Sequence, residues 1–112
     1  MRVSVGDVTC FDRVSADKPQ AVKVLEEAAE VVEAWKAWEA KRRAYVDDGL
    51  VLGEPWNYGP ERRALLDECS DVIQATCNLA SALGVTDLVG YVAACEQRNR
   101  ERGRITGGEA DA

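Results

Sequence analysis

The stretch Asp17-Lys18-Pro19-Gln20-Ala21-Val22-Lys23-Val24-Leu25-Glu26-Glu27-Ala28-Ala29-Glu30-Val31 decides the fold of this chain. An aspartate that can cap free N–H groups stands just before a proline, which the first turn of a helix tolerates, so a helix is predicted to open at Asp17-Lys18-Pro19. It should run from about Pro19 into the mid-forties, where Asp47-Asp48-Gly49 breaks the pattern. At about 100° per residue, Glu27 and Glu30 lie within about 60° of each other on the helix surface. An apolar arc of Val24, Ala28, Val31 and Trp35 begins beside them, which puts the acid pair at the border of the buried face.

The same acid spacing returns in Leu65-Leu66-Asp67-Glu68-Cys69-Ser70-Asp71-Val72. Pro60-Glu61 opens a second helix that lasts to Leu83 and stops at Gly84, a residue suited to a left-handed C-cap. Its apolar arc is Leu65, Cys69, Val72 and Thr76, and Glu68 and Asp71 stand at the border as Glu27 and Glu30 do. Between the two helices, Gly49, Gly53, Pro55, Asn57 and Gly59 mark a connecting loop. Thr86-Asp87 opens a third helix, from Asp87 to about Arg102, that ends at Gly103.

Outside these helices, residues 1–16 read as an irregular or short extended arm in which Val3, Val5 and Val8 surround Gly6 and Asp7. Residues 105–112 read as a small-residue polar tail expected to be mobile. The single domain is residues 17–104. Three helices with short joins and no credible sheet imply an all-α bundle of three main helices, completed by a short fourth helix or by another subunit.

The chain has 112 residues, a formal charge of −6 and no histidine. The negative balance argues against a nucleic-acid partner, because phosphate-backbone affinity needs a positive surface. The missing histidine removes Ser-His-Asp and Cys-His nucleophiles, His zinc sites and the Glu-x-x-His motif of di-iron bundles. Cys10, Cys69, Cys77 and Cys95 form no Cys-x-x-Cys pair and read as reduced thiols. No apolar run of about 18 residues could span a membrane, and Met1 to Asp7 lacks a secretory signal, so the expected location is cytoplasmic.

Small residues flank the acids, Ala34 and Ala37 on the first helix and Ala75 and Ala82 on the second, so the two helices can approach closely there. Four carboxylates would then converge, and like charges held together call for a cation. An all-oxygen set suits Mg²⁺ or Mn²⁺, not zinc. The bland alternative is a solvated face, since the chain carries 20 acidic residues and Lys23 could pair with Glu27 as an ordinary i,i+4 surface bridge.

On these residues the chain resembles the all-α nucleotide pyrophosphohydrolases that include MazG, the dimeric dUTPases and phosphoribosyl-ATP pyrophosphatase. Lys23 to Glu30 looks like the family's first acidic motif, and Asp67-Glu68-Cys69-Ser70-Asp71-Val72 looks like the second. Arg98-Asn99-Arg100-Glu101-Arg102-Gly103-Arg104 is similar to the basic, Asn-containing segment that faces the nucleotide phosphates in MazG-like members. The resemblance implies that Glu27, Glu30, Glu68 and Asp71 ligate Mg²⁺ and hydrolyse a nucleoside triphosphate to its monophosphate and pyrophosphate. One of the same acids, Glu30 for instance, would accept the proton of water. It also implies a homodimer or homotetramer. The loop from Asp47 to Pro60, with Trp56, Asn57 and Tyr58, is longer than in compact relatives and leaves the base and sugar preference open.

Substrate-binding candidates follow. Asn78 lies two turns after Asp71 and could hydrogen-bond the sugar or base, or serve as a polar rim residue. Arg98, Asn99 and Arg102 could clamp phosphate oxygens, against the alternative of a basic helix end that complements the helix dipole. Trp38, near the acid edge, is the candidate for stacking on a base, against the alternative of an interface or core role, while Trp35 is expected in the core. Trp56 and Tyr58 could act as a lid or serve in packing. Two other readings compete: a non-catalytic helical interaction module indifferent to metal, and a member of the same family dedicated to dCTP, dUTP or phosphoribosyl-ATP.

Overall fold

A computed structural model describes residues 1–47 and 59–107. Three helices follow one another, α1 Lys18–Asp47, α2 Pro60–Ala82 and α3 Val89–Glu101, and no strand occurs among the described residues. The chain is all-α, as its sequence predicts. Asp48 to Tyr58, and with them the proposed roles of Trp56, Asn57 and Tyr58, lie outside the described residues, as do residues 108–112.

Local chemistry accounts for the helix ends. The Asp17 carboxylate accepts the Gln20 N–H at 3.0 Å, capping α1. Pro60 stands at the start of α2, where its missing N–H costs nothing. Gly84 and Gly103 take φ of +80° and +74°. There the Val85 N–H reaches Ala80 O at 3.0 Å and the Arg104 N–H reaches Asn99 O at 2.9 Å, so each glycine lets the chain turn back and satisfy a terminal carbonyl. Helix α3 starts two residues later than its sequence suggests, because the Asp87 carboxylate accepts the Val89 N–H at 2.8 Å from outside the helix.

Helices α1 and α2 pack against each other, and α3 makes no comparable packing against either. The half-buried residues of α1 include Val24, Glu27, Ala28, Val31, Ala34 and Trp38, the spacing of one helix face. On α2, Leu65, Glu68, Cys69, Val72 and Leu79 are half-buried and Ala75 is 4% exposed. Of the four alanines expected between the helices, Ala75 is buried and Ala34 and Ala82 are half-buried, whereas Ala37 is exposed.

Two expectations fail. Trp35 is 47% exposed and is not a core residue. The apolar arc of α1 is wider than one neighbouring helix can cover, and Trp35 sits on the uncovered part. Thr76 is also exposed, its hydroxyl donating to Val72 O at 2.8 Å within the helix.

The N-terminal segment is bound to the helices instead of standing apart from them. Phe11 N–H donates to Asn78 Oδ1 at 3.1 Å, Gln74 Nε2 donates to Thr9 O at 3.0 Å, and Cys10 Sγ lies 3.3 Å from Cys77 O. Arg2 reaches Glu96 on α3 at 3.4 Å. All four cysteines are free thiols. No described helix is long and apolar enough to cross a membrane.

Candidate metal centre

Glu27 and Glu30 share one face of α1, and Glu68 and Asp71 share one face of α2, because three residues advance a helix by nearly one turn. The packed pair brings these faces together. One carboxylate oxygen from each of the four residues lies within 4.8 Å of all the others. Glu27 and Glu68 are half-buried, whereas Glu30 and Asp71 are exposed, so the cluster has an inner wall and an open side.

Its electrostatics are unbalanced. Lys23 is the cation bonded to the cluster, with Nζ 3.2 Å from Glu27 Oε1 and 3.5 Å from Glu26 Oε2. Those contacts, the one to Glu27 foremost, raise the Lys23 pKa above its ordinary value. The surface bridge foreseen as an alternative is therefore present, and among the described residues it leaves three of the four acids without a salt-bridge partner. Glu68 bears the strain. Desolvation first, then its contact with Glu30 and the charges of Glu30, Asp71 and Glu27, pushes its carboxyl above the ordinary 4.5. Its Oε2 is buried with no hydrogen-bond partner.

A buried, unpaired carboxylate oxygen is costly unless something satisfies it. A hard divalent cation among four carboxylates would do so, and the all-oxygen donor set suits Mg²⁺ or Mn²⁺. The residues present therefore fit such an ion.

The other predicted residues fall in different surroundings. Trp38 is half-buried on α1, and the Arg42 guanidinium lies over its ring at 5.9 Å. Arg42 in turn grips Glu39 with two bonds, at 2.9 and 2.7 Å. Asn78 is 2% exposed, and its Oδ1 accepts bonds from Phe11 N and from Gln74 Nε2, each near 3 Å. Its carbonyl oxygen holds the N-terminal segment.

On α3, Arg98 and Arg102 are exposed. Asn99 donates to Cys95 O at 3.0 Å and accepts from Arg104 at 3.2 Å. None of the three is hydrogen-bonded or ion-paired to the four acids. Their neighbours Arg100 and Arg104, with Arg2 and Glu96, line a separate cleft of about 330 Å³ between the N-terminal segment and the end of α3. Arg100 also bonds Gly107 O, folding the start of the tail back onto α3.

The helical spacing of the acids is what made the cluster legible in the sequence. The Arg42–Glu39 grip beside Trp38 had a comparable signal in its i,i+3 spacing, whereas the Asn78 contact with the N-terminal segment spans 67 residues and had none. Compared with family models, curated proteins and solved structures, the chain matches none of them.

Proposed function

We propose that this chain is a Mg²⁺-dependent nucleoside triphosphate pyrophosphohydrolase of the MazG-like kind, with Mn²⁺ the other cation its ligands would accept. The observation that carries the reading is the meeting of four carboxylates from two helices, one of them Glu68 with a buried, unpartnered oxygen. Glu27, Glu30, Glu68 and Asp71 would hold the ion. When bound, the cation would neutralise these acids, polarise the triphosphate and acidify a water.

The chain's own groups then have defined tasks. In the reaction, water adds at phosphorus, the anhydride between the α and β phosphates breaks, and nucleoside monophosphate and pyrophosphate leave. A carboxylate of the cluster accepts the proton, for instance Glu30, which with Asp71 forms the exposed side of the cluster. Lys23, held by Glu27, stands ready to meet a phosphate oxygen at the edge of the cluster. No side-chain nucleophile is required, in keeping with a chain that has no histidine. Trp38 is proposed to stack on the base. Arg98, Asn99 and Arg102 are proposed phosphate contacts, carried by α3 and its C-terminal end, which make no packing against either other helix comparable to that of α1 on α2. Within this reaction class, dCTP, dUTP and phosphoribosyl-ATP are the alternative dedicated substrates.

Pyrophosphate release from a panel of canonical and modified (d)NTPs and phosphoribosyl-ATP tests the reading, with Mg²⁺ or EDTA, on wild type and on Glu30→Ala with Glu68→Ala. Metal-dependent monophosphate formation that the double substitution abolishes is the expected result. Silence across the panel, with no Mg²⁺ binding by calorimetry and a variant as helical as wild type, would overturn it in favour of a non-catalytic interaction module.

A further inference from the structure

We propose that the N-terminal segment is part of the site, and that it brings Arg13 into a cleft at the start of α1 where Arg13 and Lys23 receive the β and γ phosphates, the pair released as pyrophosphate. The inference rests on the chain being a triphosphate pyrophosphohydrolase, a reading that gives no residue before α1 a task.

The segment is anchored beside the acids. Asp71, Gln74 and Asn78 follow one another at steps of three and four residues, so they share one face of α2. Asp71 belongs to the acid cluster, and the other two hold the segment. Gln74 Nε2 donates to Thr9 O at 3.0 Å, and the buried Asn78 accepts the Phe11 N–H at 3.1 Å. Gln74 also donates to Asn78 Oδ1 at 3.0 Å, which joins the two grips into one network. A stretch with no helix or strand of its own is thereby fixed about one helical turn from the cluster. Arg13 follows two residues after the last of these bonds.

From that anchor the segment forms one wall of a cleft of about 280 Å³, with Arg13 and Ser15 facing Gln20 and Lys23 of α1. Lys23 joins the cleft to the acids, since its Nζ lies 3.2 Å from Glu27 Oε1. Clefts that hold a whole drug-sized ligand measure about 300–1,000 Å³, so this one suits a portion of a nucleotide, and its charge selects the portion. The lining has two cations, Arg13 and Lys23, against one acid, Asp17, in a chain whose net charge is −6. The Asp17 carboxylate is already occupied by the Gln20 N–H at 3.0 Å. That bond also caps the helix end, so side chains and not the free end of α1 would meet the anion. Arg13 is exposed, and among the described residues it has no hydrogen-bond or ion-pair partner, which leaves its planar fork open to two phosphate oxygens. Lys23 is shared between Glu26 and Glu27. With Glu27 committed to a divalent cation, Lys23 is left to a phosphate oxygen.

Calorimetric titration of the full chain with inorganic pyrophosphate in the presence of Mg²⁺, beside titration with Mg²⁺ alone, tests the inference. Arg13→Ala and Lys23→Ala should each weaken pyrophosphate binding by about tenfold, and Arg13→Lys should restore part of the loss. Arg13→Ala breaks no bond within the described residues, so helicity and Mg²⁺ affinity should stay as in wild type. Gln74→Ala, which loosens the segment without touching the phosphate, should weaken pyrophosphate binding in the wild type and leave it unchanged in Arg13→Ala. An equal loss in both backgrounds would overturn the role given to the segment. A wild type that binds Mg²⁺ and either ignores pyrophosphate or binds it as well after Arg13→Ala would overturn the proposal and leave the catalytic reading standing. A wild type that binds no Mg²⁺ would overturn both.

Discussion

Two glutamates on the α1–α2 pair feel opposite environments, and pH separates them. Glu39 is held at about 2 by the hydrogen bond from Arg42, and then by Arg43 and the charge of both. Its folded pKa is below the ordinary 4.5, so its contribution to stability is present above 4.5 and is lost as pH falls towards 2. Glu68 is shifted upward, so the folded state binds its proton more tightly than the unfolded chain does. Its effect has the other sign: without a cation, stability falls as pH rises from 4.5 through the raised pKa. Thermal unfolding of the EDTA-treated protein between pH 2 and 8 should therefore show Glu39→Gln flattening the acid limb and Glu68→Gln flattening the limb above 4.5. If Glu68→Gln leaves that upper limb untouched, the cluster is not a source of strain. Mg²⁺ should raise the wild-type midpoint at neutral pH, and it should raise that of Glu68→Gln far less.

Between elements, the contacts that matter are small and few, which makes them sensitive. Ala75 is the buried apolar residue of α2, 4% exposed, so Ala75→Leu should strain the helix pair, lower stability by about 1–3 kcal/mol and weaken Mg²⁺ binding if the acids separate. Calorimetry and denaturant unfolding read both effects, and unchanged Mg²⁺ affinity would mean the acids do not depend on this spacing. Asn78→Ala should cost about 1–3 kcal/mol, because it removes a buried side chain and the oxygen that accepts both the Phe11 N–H and Gln74 Nε2. Amide exchange at Phe11 should rise in step. These cases also show what the sequence could reveal. Helix ends were legible because Asp17, Pro60, Gly84 and Gly103 act through bonds to residues a few places away. The acid register was legible because helical geometry alone aligns Glu27 with Glu30 and Glu68 with Asp71. The exposure of Trp35 was not, since an apolar arc does not tell how many neighbours cover it. Nor was the docking of residues 9–11, in which a side chain meets backbone groups that every sequence possesses. The sparse contact of α3 escaped for the same reason: its ends are coded locally, its position is not.

For the molecule as a whole, the acid cluster makes a demand that one short helix pair is poorly built to meet. The chain has a radius of gyration of 17.5 Å, where a compact domain of its length would have about 13 Å, so it has little apolar burial to set against four converging carboxylates. A cation that binds only the folded pair would stabilise it by mass action. Because α1 and α2 pack on each other and α3 makes no comparable packing against either, that stabilisation should be unevenly spread. Amide exchange of the EDTA-treated protein should slow across α1 and α2 when Mg²⁺ is added, and slow less across α3. Glu68→Gln should shrink the effect on the helix pair. Equal slowing in all three helices would show that α3 unfolds with the pair in one cooperative step, and exchange that Mg²⁺ does not change would show that the acids hold no cation in the folded state.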